Sequence, residues 1–264
     1  MTITYANLVT PTFERGIRFG PQACPEQGIY EESETQQYAL GTKWVYGDGR
    51  VFRYAKNGAV ALGKALMTQT QVIETKFVGI AQTGHAQTLG ATEITVLVTT
   101  ASALAENALV GGTLWCSSVG NMGESYKIVA SRLDATDTLL HLSLETPLRA
   151  AIAATTKISI APNKHYGVVV FEAVAAANQT GSATGIPLIA VTASYYCWLQ
   201  TGGDAPIYVD TDENPAIGDL CGPPDTYAVA GAGGVWKTLS QFWGTFRSDN
   251  VFDEVGLVGL WLDT

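Results

Sequence analysis

Along most of this chain, apolar and polar residues alternate in short runs separated by turn residues. The cleanest run is TEITVLVTT, residues 92–100. Around it lie QVIETKFVGIA (71–81), GGTLWCSSV (111–119), ESYKIVASRL (124–133), DTLLHLSLE (137–145) and TKISIAP (156–162). Period-two alternation reads as half-buried strand, and strands recurring every ~8–12 residues point to a barrel or a sandwich. The last third resumes the pattern with GVVVFEAV (167–174), PLIAV (187–191), SYYCWLQ (194–200), APIYVD (205–210), VWKTLSQFWGTFRS (235–248) and VGLVGLWLD (255–263). Gly202-Gly203-Asp204 predicts a turn that folds SYYCWLQ back onto APIYVD. Two stretches read as short helices: ASALAENALV (101–110), ended by Gly111-Gly112, and TPLRAAIAA (146–154), with Pro147 in its first turn.

The first 40 residues lack periodicity. Pro11, Gly16, Gly20, Pro21, Pro25 and Gly28 punctuate them, as in an extended arm that orders only against something else. KWVYGDGRVFRYA (43–55) then predicts a hairpin, with aromatic and β-branched residues on both sides of a Gly-Asp-Gly turn. The expected fold is all-β, in three parts. Residues 1–64 form an arm and hairpin, 65–165 a central β-barrel, and 166–264 an acidic, β-rich barrel or sandwich. Linkers are read at 175–185 and 222–234.

Composition narrows the picture. The 264 residues are 47% hydrophobic but only 15% charged, against about 25% in ordinary soluble domains. Such a surface suits a chain packed against other subunits, and a compact β protein can show it too. The net charge of −9 is uneven. Residues 1–164 hold 13 basic and 13 acidic side chains, and residues 165–264 hold Lys237 and Arg247 against 11 acids. A basic run, Lys43, Arg50, Arg53, Lys56 and Lys64, is opposed only by Asp48 and follows the acidic Glu31, Glu32 and Glu34. A chain polarised in this way can dock one end and leave the other in water, or simply carry solvated faces with no partner. The four cysteines, at 24, 116, 197 and 221, lack a Cys-x-x-Cys spacing, so a clustered zinc site is not expected. No secretory leader and no membrane-length apolar run are read, which leads to the expectation of free thiols in a reducing cytoplasm.

Several stretches imitate known chemistry. GAGGVWKT (231–238) resembles a phosphate loop, but Trp236 stands where the glycine before the lysine belongs, and strand-like sequence follows. It is read as a glycine-rich turn feeding a buried strand. DTDEN (210–214) begins like a calcium loop, yet Pro215 and Cys221 occupy the positions for its glycine and its last carboxylate. His141 lies inside a strand, and His85 and His165 read as loop residues without a nucleophile signature nearby. The aromatic group Trp236, Phe242, Trp243, Phe246, Phe252 and Trp261 suits sugar stacking or packing. Its acidic setting disfavours nucleic acid.

One stretch carries more information. LVGGTLWCSSVGNMGESYKI (109–128) resembles a hairpin found in capsid decoration proteins of tailed bacteriophages, also called cement or auxiliary capsid proteins. The match runs through Gly111, Gly112, Leu114, Gly123, Tyr126 and Ile128, with Gly120 displaced from the family's turn pair. TASYYCWLQTGGDAPIYVD (192–210) is similar to a second family segment through Tyr195, Tyr196, Trp198 and Gln200, with Ser194 in place of a glycine. LGTKWVYGDGRVFRYAKNGA (40–59) is a third likeness. Together they span about a third of the chain. The resemblance implies a β-rich, commonly trimeric protein on the outside of a phage head, made in the host cytoplasm and bound to the major capsid protein. It implies no catalytic residue; from the residues themselves no cofactor, metal, nucleic acid or membrane is expected. Arg15, Arg18, Lys43, Arg50, Arg53, Lys56 and Lys64 are then the expected shell contacts, with the acidic last third in solvent. Two alternatives stay open: a head-fibre-like glycan- or receptor-binding protein recognised by its exposed aromatics, Trp243 first, and an enzyme with a cleft holding two close carboxylates.

Overall fold

The computed structural model describes residues 12–13, 27–82, 84–98, 104–118, 121–134, 139–172, 180–211, 213–224, 229–236, 241–249 and 253–263. Arg15, Arg18, Cys24, Gly120, Lys237, Thr238 and Phe252 therefore lie outside the described residues. The fold is all-β, as the alternation predicts. It divides into two compact units, residues 72–164 and residues 1–71 with 165–264. These boundaries differ from the three-part reading of the sequence, because the hairpin and the last third share one sheet.

The first part of the chain supplies β1 (Thr12–Phe13), β2 (Lys43–Val45), β3 (Val51–Lys56) and β4 (Thr68–Gln69). The inserted unit contains a 3-10 turn, Thr75–Phe77, then β5 (Ile80–Ala81), β6 (Glu93–Leu97), β7 (Thr113–Cys116), β8 (Ser125–Leu133), β9 (Leu139–Leu144) and β10 (Lys157–Ala161). The chain returns with β11 (Val169–Val170), β12 (Ala183–Pro187), β13 (Tyr196–Tyr208), β14 (Leu220–Gly222), β15 (Gly234–Val235), β16 (Gly244–Phe246) and β17 (Val255–Trp261).

In the inserted unit six antiparallel strands run in the order β5-β10-β7-β8-β9-β6. The two edge strands approach each other, so the sheet nearly closes into a barrel. Alternation fills it: Ile94 and Val96, Leu114 and Cys116, Tyr126 and Ile128, Leu140, Leu142 and Leu144, Ile158 and Ile160 all point inward and are buried. The expected strand over 71–81 shrinks to the 3-10 turn and the short β5. Neither expected helix forms among the described residues; 101–103, the start of the first, lie outside them. Residues 104–110 form turns, held by Asn107 N–H to the Ser131 carbonyl (2.7 Å) and broken by Asn107 at φ +61°. Residues 148–152 give their backbone groups to Gly90, Ala91 and Gln87 instead of to each other. Segments this short are marginal helices, and a tertiary partner outcompetes them.

The other unit is an eleven-stranded curled sheet with the order β1-β2-β3-β13-β17-β16-β14-β15, to which β12, β4 and β11 attach. The hairpin β2–β3 forms as predicted, Val45 opposite Val51. The Gly202-Gly203-Asp204 turn does not form. β13 runs straight through it as a 13-residue strand, paired with β3 up to Gly202 and with β17 from there on. A bulge between Gln200 and Gly202 makes the change of partner. The Gln200 amide spans it, donating to the carbonyls of Gly202 (3.1 Å) and Asp204 (2.8 Å). Gly203 has φ +76°, and a Cβ there would sit 2.9 Å from both Arg50 Cα and the Gly49 carbonyl oxygen. These glycines thus admit the β2–β3 turn, where the sequence suggested a reversal of the chain. Upstream, the strand read at PLIAV falls earlier, at Ala183–Pro187, and its residues beyond Pro187 contribute only the Val191 bridge to Leu62.

Candidate functional site

The basic run does not form one patch. Lys43 stands opposite Arg53 on one face of the hairpin, while Lys56 belongs to the other face with Phe52 and Tyr54. Arg53 is committed internally. Its guanidinium binds the Asp263 carboxylate through Nε and through Nη2 (2.9 Å), and Nη1 donates to the Gly41 carbonyl (2.8 Å). Burial pushes the Asp263 carboxyl up, but hydrogen bonding and charge from Arg53, aided by Lys43 and His165, bring it below its ordinary value. Arg50 binds Asp48 (2.8 Å) and lies 5.0 Å from the Tyr46 ring and 5.8 Å from Phe52. The Lys56 ammonium lies between the rings of Tyr166 (5.3 Å) and Tyr196 (5.4 Å). Lys64 is exposed in a loop.

The residues that carry the family resemblance are structural. In the β7–β8 hairpin, Gly111 N–H donates to the Ile128 carbonyl (2.8 Å) and Ile128 N–H to that of Gly112 (3.1 Å). A Cβ at Gly111 would lie 2.5 Å from Asn163 Nδ2, and one at Gly112 2.5 Å from the Ala161 carbonyl oxygen. Gly123 holds φ +89° in the turn. Leu114, Tyr126 and Ile128 fill the barrel. The Tyr126 hydroxyl hydrogen-bonds the Glu124 carboxylate and accepts from Arg149 N–H (3.0 Å), tying the loop after β9 to the hairpin. In β13, buried Trp198 donates its indole N–H to the Gln27 carbonyl (3.0 Å) and meets Tyr54 and Trp44 edge-on, both at 5.1 Å. Tyr196 stacks on Tyr54, and Tyr195 packs on the cluster around Leu199.

The glycine stretch 231–236 is also packing. The Gly231 carbonyl accepts from Met67 N–H (2.8 Å), and a Cβ at Gly233 would approach Ile207 to 2.7 Å. Asp210 of the calcium-like run is buried, and its carboxylate accepts from Val229 N–H (3.2 Å). Among the described residues no group of three His, Cys, Asp or Glu side chains could hold a metal ion.

The aromatic tail separates into inside and outside. Trp243 and Phe246 are buried, so Trp243 presents no stacking surface. Trp261 is 58% exposed and continues a ladder through Phe242 (5.5 Å) to Trp236 (6.2 Å from Phe242). On the same outward face of β17, Val255 is 56% and Leu257 39% exposed, with exposed Leu220 in the row that crosses Thr245 and Gly259.

The second surface feature belongs to the inserted unit. On the outer side of β6, β9 and β8 lies a hollow of about 460 Å³, roofed by Glu106 and Asn107. Its floor consists of two cross-strand rows, Thr95–His141–Arg132 and Glu93–Ser143–Ala130. Thr95 Oγ1 is 3.2 Å from His141 Nδ1. A bulge between Ile128 and Ala130 sets this floor. Without the extra residue, the alternation that buries Tyr126 and Ile128 would bury Arg132 as well. With it, Arg132 turns outward beside His141 and Ser131 turns inward. Sequence reasoning placed His141 on a strand but could not give its cross-strand neighbours. No family model, curated protein or solved structure matches the chain.

Proposed function

We propose that this chain is a non-enzymatic structural protein of a virion, a decoration protein that assembles as a trimer on the outer surface of a phage capsid and stabilises it by bridging capsomers. The observation that supports the reading is the outward face of β17, where Val255, Leu257 and Trp261 are exposed, with the Arg247–Asp204 ion pair lying over Gly259 between Leu257 and Trp261 and exposed Leu220 two strands away on β14. Faces of this kind serve protein–protein contact, and the low charged fraction of the chain agrees with such a role. We assign this face to contact between copies of the chain. Contact with the major capsid protein falls to the hairpin and the loop after it, where Lys43 on one face, Lys56 on the other and Lys64 in the loop are the basic residues to reverse, each singly. Arg50 and Arg53 hold internal carboxylates, so changing them perturbs the fold as well as any docking.

The test is a mass-resolved measurement of solution size, followed by sedimentation with undecorated phage heads. The expected result is a trimer that pellets with heads. Leu257→Asp is expected to dissociate the trimer, and single charge reversals among the three lysines to weaken pelleting. A monomer that stays in the supernatant overturns the proposal.

A further inference from the structure

We propose that the hollow over β6, β9 and β8 is a binding site for one neutral saccharide unit. The site lies wholly within residues 72–164 and does not depend on the assembly reading. Its walls are fixed before any ligand arrives. Asn107 N–H donates to the Ser131 carbonyl (2.7 Å), Ser131 N–H donates to Asn107 Oδ1 (3.2 Å), and Leu109 N–H donates to Ser131 Oγ (3.1 Å). Ser131 is buried and so locks the roof to the floor. Asn107 holds a left-handed backbone at φ +61°, and Arg132 faces the hollow only because of a bulge. Local strain and bulges concentrate where a surface is shaped for a ligand.

The chemistry of the lining selects the class. Glu93 and Glu106 offer carboxylate acceptors, while Arg132 and the Asn107 amide offer planar donors. The contact of His141 Nδ1 with Thr95 leaves its second ring nitrogen for a ligand. Among the described residues no ion pair uses Arg132, Glu93 or Glu106. An anionic ligand would meet two carboxylates, and a cationic one would meet the guanidinium. A hydroxyl donates and accepts at once, so vicinal hydroxyls satisfy both kinds of group without repulsion, in charge-assisted hydrogen bonds. Ala130 keeps the floor open opposite Ser143. A volume of about 460 Å³ falls within the range of small-molecule sites, roughly 300–1,000 Å³.

The test is saturation-transfer NMR on the full chain with the methyl glycosides of galactose, glucose and N-acetylglucosamine, and with sialic acid as an anionic comparison. The expected result is saturable transfer to at least one neutral glycoside, lost at least ~10-fold in Ala130→Phe, which fills the floor, at an unchanged melting temperature. Arg132→Ala, at an exposed position, is the second variant should Ala130→Phe fail to fold, and the same loss is expected. No transfer to any of the three glycosides overturns the proposal. So does transfer that survives both variants, or transfer confined to sialic acid.

Discussion

Replacing Gly203 by alanine tests the account of β13 most directly. If Gly202-Gly203-Asp204 were an exposed hairpin turn, a methyl group at Gly203 would project into water. In the fold it meets Arg50 Cα and the Gly49 carbonyl oxygen, both at 2.9 Å. Two costs then add. A left-handed φ of +76° costs an L-residue about 1–2 kcal/mol. Forcing the β2–β3 turn away from the new Cβ costs about 1–3 kcal/mol, the usual scale for overpacking. Reduced freedom of the unfolded chain returns about 0.4–1 kcal/mol. The net loss is roughly 1–4.5 kcal/mol. Gly218→Ala is the control. Its φ is +92° in the same unit, and nothing lies within 4 Å of the added Cβ, so only the conformational cost applies. Its net loss is about 0–1.5 kcal/mol. Urea unfolding followed by tryptophan fluorescence, which reports on buried Trp44 and Trp198 in this unit, gives both values from the midpoints at constant slope. Equal losses in the two variants would refute the packing of the bulge against the turn.

Two further predictions address other parts of the fold. Asp263 has a folded pKa below its ordinary value of 3.8, so the stability it contributes is present above that value and is lost as pH falls through the folded one. Wild type is expected to exceed Asp263→Asn in stability at pH 7 and to converge with it toward pH 2; a gap that persists at pH 2, measured by urea unfolding, contradicts the ion pair with Arg53. In the barrel, Tyr126→Phe removes the hydroxyl that accepts from Arg149 N–H and is expected to cost about 0.5–1.5 kcal/mol in the same assay, with faster amide exchange at Arg149; unchanged exchange there rules out the tie.

The barrel strands were legible because each needs only its own alternation. Ile94 and Val96, or Leu140, Leu142 and Leu144, are buried in the rhythm the sequence displays. The β2–β3 hairpin was legible for the same reason, with its Gly-Asp-Gly turn local to the pattern. The helical readings at 101–110 and 146–154 failed because their backbone partners, Ser131 for one and Gln87 to Ala91 for the other, lie far along the chain. The basic run looked like one surface because a sequence lists charges in order without their faces. Lys43 and Arg53 lie on one side and Lys56 on the other.

By itself, then, the sequence determined that this protein is built of short alternating strands, and that its charge divides between the two ends of the chain. The tertiary structure decided which strands pair, joining the last third to the N-terminal hairpin through β13. It also decided which polar residues meet in the hollow. Both depend on long-range register, and a single extra residue reverses every face beyond it. The bulge before Ala130 sends Arg132 outward, and the one at Gln200 carries β13 past a pair of glycines that, read locally, end a strand.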